Sequence, residues 1–85
     1  MRLYVGNLSH DVTEQDLADL FASAGNVTGV MLVLHRETGR PRGFGFVEMA
    51  SDAEGERALE RFDGHDLKGR PIVVNEARVK KDDER

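Results

Sequence analysis

Two segments with helical periodicity, each opened by a capping pair, set the order of elements in this 85-residue chain. Thr13 and Asp16 have the spacing of a capping box, and Ser51 and Glu54 repeat that spacing before the second apolar pattern. The stretches before, between and after the helices are short and rich in Val, Leu, Ile and Phe, which favours strands. The predicted order is therefore β-α-β-β-α-β.

That order predicts the fold class, an α+β fold of the ferredoxin-like type. Strands are expected near residues 3–5, 27–34, 44–49 and 71–77, and they would form one four-stranded antiparallel sheet. Right-handed crossovers place both helices on the same side of that sheet. No segment is left to cover the other side, so a binding function is expected there.

Composition limits the functions that such a chain can have. The absence of Cys excludes a disulfide framework and a thiolate metal site. Without an apolar run of ~18 residues or a signal-peptide pattern, a cytoplasmic protein is expected. One domain is expected over residues 1–79, followed by a charged tail at 80–85. The net charge of −4, taken as a bulk value, argues against a nucleic acid partner.

Strand alternation separates the aromatic residues from the aliphatic core. In the third strand, Phe44 and Phe46 share a face with Glu48. Because a charged residue is costly on a buried face, Glu48 assigns this set to the uncovered side. Tyr4 falls on the same side, since its neighbours Leu3 and Val5 suit the core. Three of the five aromatic residues are thus expected to face solvent.

Two explanations of this aromatic face remain open from the pattern. A further segment or a dimer partner could cover it, or it could be a stacking platform for bases, because every base has a π-face. A contiguous aromatic patch is typical of a binding surface, which favours the platform. Met31 and Val33 fall on the same face. Gly45 falls on the inner face, where it would let a helix approach closely.

The third strand resembles a known sequence motif. Residues 42–49 read RGFGFVEM and fit the RNP1 octamer of the RNA recognition motif at seven positions, with Met49 in place of an aromatic residue. Residues 3–8 resemble the RNP2 hexamer, and residues 69–78 are similar to the last strand of that family. The resemblance covers roughly residues 2–78. It implies a domain that binds single-stranded RNA, acting after transcription or as an RNA chaperone.

The resemblance also implies roles for individual residues. Tyr4 and Phe46 would each stack on a base. Phe44 would insert between sugars of adjacent nucleotides, and Arg42 would form a salt bridge to phosphate. The last strand would contact base edges. The expected RNA-binding residues are Tyr4, Asn7, Met31, Arg40, Arg42, Phe44, Phe46, Glu48, Asn75, Ala77, Arg78 and Lys80.

The distribution of charge along the chain removes the argument that the net charge of −4 gave against a nucleic acid partner. Residues 10–24 carry four acids and no Lys or Arg, whereas residues 67–81 carry five basic residues against one acid. Arg2, Arg36 and Arg40 border the predicted sheet in addition. The base-rich segments, Lys68 included, are therefore expected to line the open face, with the acidic helices behind it.

Other functions lack the residues that they need. His10, His35 and His65 fall in separate loops and no catalytic arrangement is evident, so no metal, no cofactor and no enzymatic activity are expected. We expect a monomer that does not bind membranes. The alternatives from other classes are a protein-interaction domain of the same fold and a small ferredoxin-like enzyme such as an acylphosphatase. Single-stranded DNA is the alternative ligand, because stacking needs no 2′-hydroxyl.

Overall fold

The computed structural model describes residues 1–77 of the chain. The predicted domain end at residue 79, the tail at 80–85 and the predicted contacts of Arg78 and Lys80 lie outside the described residues. The elements in chain order are β1 (Arg2–Gly6), α1 (Glu14–Ala22), β2 (Val27–Leu34), β3 (Pro41–Met49), α2 (Asp52–Phe62), β4 (Asp66–Leu67), β5 (Arg70–Pro71) and β6 (Val73–Glu76). The predicted order is confirmed, with a short hairpin added before the last strand.

The four longer strands form one antiparallel sheet in the order β2-β3-β1-β6. β1 lies in the centre, where Tyr4 is paired with Phe46 on one side and with Asn75 on the other. Both helices contribute buried residues to a single core behind this sheet. The molecule therefore has the predicted ferredoxin-like α+β fold.

The sequence did not predict the added hairpin, which is formed by β4 and β5. Its two turn residues, Lys68 and Gly69, both have positive φ angles, of 53° and 88°. That combination is typical of the tight turn that joins two twisted strands. The Asp66 carboxylate accepts a hydrogen bond from the Gly69 N–H at 3.0 Å, which fixes the turn. The last sheet strand, Val73–Glu76, begins later than predicted because Pro71 belongs to this hairpin.

The two capping boxes differ in the structure. The Thr13 hydroxyl accepts from the Asp16 N–H at 3.1 Å, and the Asp16 carboxylate accepts from the Thr13 N–H at 2.9 Å, so the first box is complete. In the second, the Ser51 hydroxyl accepts from the Glu54 N–H at 3.2 Å. The Glu54 carboxylate instead accepts from the Ser51 hydroxyl at 3.1 Å and from the Asn26 N–H at 3.2 Å. Glu54 therefore links α2 to the segment that enters β2.

The core contains the inward residues of the central strands and one face of each helix. Its largest fully buried side chains are Phe21, Leu3, Leu17, Met49, Ile72, Val5, Val47 and Val74. Gly45 lies among them. The sequence predicted that Gly45 would let a helix approach closely, and this prediction is wrong. A Cβ atom at Gly45 would overlap the carbonyl oxygen of Met31 and lie 3.2 Å from the Leu32 Cα atom. The approach is therefore between β3 and β2.

Candidate nucleic-acid interface

Three aromatic rings lie together on the side of the sheet that faces away from the helices. The ring centroids of Tyr4 and Phe44 are 5.7 Å apart, those of Tyr4 and Phe46 are 6.1 Å apart, and those of Phe44 and Phe46 are 6.2 Å apart. Each of these residues is half-buried. Because every ring contacts the other two, they form one continuous surface, which we call the aromatic platform.

The platform follows from the register between β1 and β3. Tyr4 and Phe46 are direct partners across the two strands, and Phe44 lies two residues before Phe46 on the same face. The alternate residues Leu3, Val5 and Val47 have no exposed surface. The two faces predicted from strand alternation are therefore confirmed by the burial of these side chains.

Arg2 lies on the platform side of β1, and its guanidinium carbon is 5.1 Å from the centroid of the Phe46 ring. The sequence placed Arg2 only at the border of the sheet and did not predict this contact. Strand alternation could have predicted this contact, because Arg2 and Tyr4 are two residues apart on one strand and therefore lie on the same face. The guanidinium of Arg2 therefore covers part of the Phe46 ring.

Beside Phe46 the sheet face has a shallow pocket of about 190 Å³. It is lined by Arg2, Gly29, Val30, Met31, Phe46 and Glu48. Met31 is paired with Phe46 across β2 and β3, and it is 44% exposed although it is a large apolar side chain. The predicted residues Met31 and Glu48 are thus brought together with the aromatic platform.

On the other flank of β1, the exposed Asn75 is the direct partner of Tyr4. Ala77 is half-buried, and its N–H donates to the Arg2 carbonyl at 2.9 Å, which continues the pairing of β6 with β1. Asn75 therefore borders the platform on one side as Met31 does on the other. Ala77 lies two residues from Asn75 along the same flank, and its N–H is already bonded.

Asn7 differs from the other predicted site residues because its side-chain amide is already bonded on both sides. Its Nδ2 donates to the Pro71 carbonyl at 2.7 Å, and its Oδ1 accepts from the Arg70 guanidinium at 2.7 Å. The backbone of Asn7 is left-handed, with φ of 57°, a conformation that Asn tolerates better than most residues. The side chain of Asn7 thus joins the end of β1 to the hairpin.

Lys68 is turned away from the open face, so the prediction that it lines that face is wrong. Its Nζ atom lies 3.0 Å from the Asp16 carboxylate and donates to the Asp11 carbonyl at 3.1 Å. The pKa of Asp16 is lowered, first by the hydrogen bond from the Thr13 N–H and then by Lys68. A cation of the base-rich segment is therefore used to attach the hairpin to the start of α1.

The remaining arginines divide into two groups. Arg57 and Arg61 donate to the carbonyls of Ala24 and Ser23, at 3.1 and 3.4 Å, where they complement the negative end of α1. A second group consists of exposed side chains that form no ion pair or hydrogen bond within residues 1–77; its members are Arg36, Arg40 and Arg42. These three are free to meet a phosphate at the β2–β3 end of the sheet.

Comparison with known proteins identifies the class. The family model of the RNA recognition motif matches residues 3–73, and the chain belongs to that family. It is 55% identical over 82 residues to the "Putative RNA-binding protein RbpB" of Nostoc sp., across 96% of this chain and 80% of that protein. The predicted resemblance is confirmed.

Solved structures agree with this assignment. The crystal structure of RNA Binding Protein PG1 superposes with a TM-score of 0.90 at 44% identity, covering 94% of this chain and 96% of that one. The Rna15 RRM with bound RNA (GU) gives a TM-score of 0.80 at 25% identity, covering 89% of this chain and 81% of that one. The fold is therefore shared with a protein whose structure contains RNA.

Two further properties concern the part of the chain that the structure describes. Within residues 1–77 no three His, Asp or Glu side chains are grouped in a way that could hold a metal ion. Neither helix in this range has the length and apolar character needed to cross a lipid bilayer.

Proposed function

We propose that this domain binds single-stranded RNA on the aromatic platform. The observation that carries the proposal is the mutual contact of Tyr4, Phe44 and Phe46 on a sheet face that residues 1–77 leave open. A small domain gains stability from burying aromatic rings, so three rings at one surface indicate a ligand. The names of the relatives, which include RNA-binding proteins, support the same class of ligand.

In this proposal Tyr4 and Phe46 stack on successive bases, while Phe44 contacts the sugars between them. Base–aromatic stacking is worth about 1–3 kcal/mol per base. The cation–π contact of Arg2 with Phe46 is worth about 0.5–1 kcal/mol at an exposed site. Stacking is the stronger of the two interactions, so a base can displace the guanidinium from the ring of Phe46.

The groups around the platform would hold the rest of the nucleotide chain. The unpaired guanidinium groups of Arg40 and Arg42 are proposed to contact phosphates, since an Arg–phosphate pair is charge-assisted. Base edges would be contacted from the flanks, through Met31, Glu48, Asn75 and Ala77. Arg78 and Lys80 remain proposed contacts beyond the described residues. We infer a monomeric, non-enzymatic module of post-transcriptional regulation or RNA chaperoning in the cytoplasm.

The proposal is tested by titrating the protein into a fluorescein-labelled single-stranded RNA and recording anisotropy. Single-stranded DNA of the same sequence and the RNA duplex are titrated in parallel. We expect binding to the single strand and little to the duplex, whose bases cannot be reached by the platform. Comparable affinity for DNA would show that the 2′-hydroxyl contributes nothing and would widen the ligand class to single strands in general.

Phe44→Ala and a matched control separate the platform from the helix side. Phe44→Ala should lower the affinity for the single strand, because it removes one of the three platform rings. His65→Ala also removes a ring, but one that contacts Phe62 behind the sheet, with centroids 5.8 Å apart. It should leave affinity unchanged. Equal losses in the two variants, with both folded, would place binding somewhere other than the platform.

A further inference from the structure

We propose that the pocket beside Phe46 selects guanine, with the carboxylate of Glu48 and the guanidinium of Arg2 as the groups that recognise the base edge. The inference rests on the proposed RNA binding and names the base that one position of the aromatic platform prefers. It concerns two charged side chains that stacking does not use.

The pairing of β1 with β3 places Arg2 directly opposite Glu48. Opposed residues on one face have Cβ atoms about 4.5–5.5 Å apart, so both charged groups border the same space. Phe46 lies two residues before Glu48 and forms one wall of that space. A base stacked on Phe46 would therefore have its edge within range of Arg2 and Glu48 together.

Both charged groups are available to a ligand. Within residues 1–77 the Glu48 carboxylate forms no hydrogen bond and no ion pair, even with the opposed Arg2. The Arg2 guanidinium lies over the ring of Phe46 instead. A stacking base would displace it from that ring toward the base edge.

The pocket also has room beside the carboxylate. Gly29 is the partner of Glu48 on β2, and a Cβ atom at Gly29 would already lie 3.7 Å from the Glu48 Cβ. Any larger side chain at this position would stand next to the carboxylate. Gly29 therefore leaves that side open, and the neighbouring Val30 and Met31 give the pocket an apolar wall.

The chemistry of the four bases decides which of them fits. An ionised carboxylate only accepts hydrogen bonds, and a guanidinium only donates them. Guanine presents two adjacent donors, its ring N1–H and its N2 amino group, next to the acceptor O6, which Arg commonly contacts. Adenine and cytosine offer one amino donor beside a ring nitrogen that accepts. Uracil offers one N–H between two carbonyls, so it suits a carboxylate least.

The sign of the charge supports a specific role for Glu48. A carboxylate on a surface that receives a polyanion repels the phosphates and weakens binding of every sequence. That cost is offset only by a base that donates to it. The arrangement therefore favours guanine chiefly by discriminating against uracil, and less by a gain in overall affinity.

The test uses short oligouridines of about eight nucleotides, long enough to cover the platform, with one central G, A, C or inosine. Inosine is guanine without the N2 amino group. Because a bidentate pair discriminates by a factor of about 5 to 150, we expect G to bind at least about 5-fold tighter than U at that position. Inosine should lose roughly 3- to 10-fold relative to G, as for one lost hydrogen bond of ordinary net strength, because its N1–H can still donate to the carboxylate.

Two variants connect this preference to the pocket. Glu48→Gln should bring the ratio of G to inosine affinity close to one, because the amide accepts at only one oxygen. Glu60→Gln removes the same charge from α2, on the other side of the sheet, and should keep the wild-type ratio. Arg2→Met should reduce the preference for G over A, since it removes the donor for O6 while keeping an unbranched apolar side chain.

The outcomes separate this inference from the function on which it rests. If single-stranded RNA binds but G and inosine bind equally to the wild type, the guanine site is wrong and RNA binding stands. The same conclusion follows if Glu48→Gln and Glu60→Gln raise all affinities equally, since Glu48 is then only a solvated charge. If none of the oligonucleotides binds, the proposed function itself fails.

Discussion

Phe21 of α1 and Phe62 of α2 pack edge to face behind the sheet, with ring centroids 5.0 Å apart and no more than 5% of either residue exposed. On the opposite side, Phe46 meets Tyr4 in a similar edge-to-face contact at 6.1 Å, yet both remain half-exposed. Phe46 and Phe62 thus have the same side chain and a similar aromatic partner. They differ in the solvent exposure of that side chain. Replacing each of them by Ala therefore separates an effect on binding from an effect on stability.

Phe46→Ala is expected to reduce the affinity for single-stranded RNA by roughly 5- to 150-fold, which is about 1–3 kcal/mol for one stacked base. Phe62→Ala should instead cost about 3–5 kcal/mol of folding free energy, because it leaves a cavity between the two helices. Anisotropy titrations and thermal melts of both variants measure the two effects. If Phe46→Ala unfolds the domain while Phe62→Ala leaves its melting temperature unchanged, the assignment of the two faces is reversed.

Most of the fold and the position of the platform could be predicted from the sequence. Side chains along a strand alternate with a period of two, so the charge of Glu48 and the apolar character of Val47 were enough to predict the face of every residue in β3. In the structure Glu48 is exposed and Val47 is buried. Capping residues located both helix starts to the residue. These features depend on neighbours in the chain, which the sequence pattern records directly.

Side-chain contacts between distant elements could not be predicted in this way. Lys68 and Asp16 are 52 positions apart, and the ion pair between them depends on where the β4–β5 hairpin lies against α1. Arg70 and Asn7 meet through the same hairpin. Charge counting along the chain assigned Lys68 to the open face, because counting has no information about the direction of a flexible side chain.

Gly45→Ala tests the close approach of β3 to β2. The added methyl group would overlap the Met31 carbonyl oxygen, which belongs to the sheet backbone and cannot rotate away. Overpacking of this kind costs about 1–3 kcal/mol. In a domain of this size we expect the melting temperature to fall by about 4–8 °C per kcal/mol.

Gly29→Ala is the matched control for this prediction. It lies on β2, and the same Cβ atom there meets only the Glu48 Cβ at 3.7 Å, an ordinary contact. Its melting temperature should stay much closer to that of the wild type. Equal shifts in the two variants would mean that the loss comes from placing alanine in the sheet and not from the Met31 carbonyl.

The capping box of α1 should make stability depend on acid pH. Bonding to the Thr13 N–H and to Lys68 lowers the pKa of Asp16 below its ordinary value. A carboxyl whose folded pKa is lowered stabilises the fold above its unfolded pKa, near 3.9, and loses that contribution as pH falls through the folded value. Asp16→Asn should therefore melt below the wild type at pH ~6, with the gap narrowing toward pH ~3.

Asp19→Asn is the control for the pH dependence, because Asp19 lies on the same helix and, within residues 1–77, accepts only from the Gln15 side chain. Its melting curve should follow that of the wild type in shape at each pH. A gap for Asp16→Asn that stays constant from neutral to acid pH would show that the loss is a packing effect and that ionisation of Asp16 contributes nothing.

The dependence of RNA affinity on salt should be shallow, because few cations among residues 1–77 are free to meet phosphates. Arg36, Arg40 and Arg42 have no partner within residues 1–77, whereas Lys68 is held by Asp16. Two to four phosphate contacts would give a slope of log K against log salt of roughly −1.5 to −3, at about −0.7 per contact for a single strand. A slope steeper than about −5 would show that phosphate attraction dominates over stacking.

The structure supplies a pair of variants that decides which cations contribute to this slope. Arg42→Gln should make the slope shallower by about 0.7, as expected for one lost phosphate contact. Lys68→Gln removes the same charge, but from a side chain whose Nζ lies 3.0 Å from the Asp16 carboxylate, and should leave the slope unchanged. The measurement is a series of titrations between about 50 and 200 mM salt. If Lys68→Gln changes the slope as much as Arg42→Gln does, the ion pair opens on binding and the hairpin reaches the RNA.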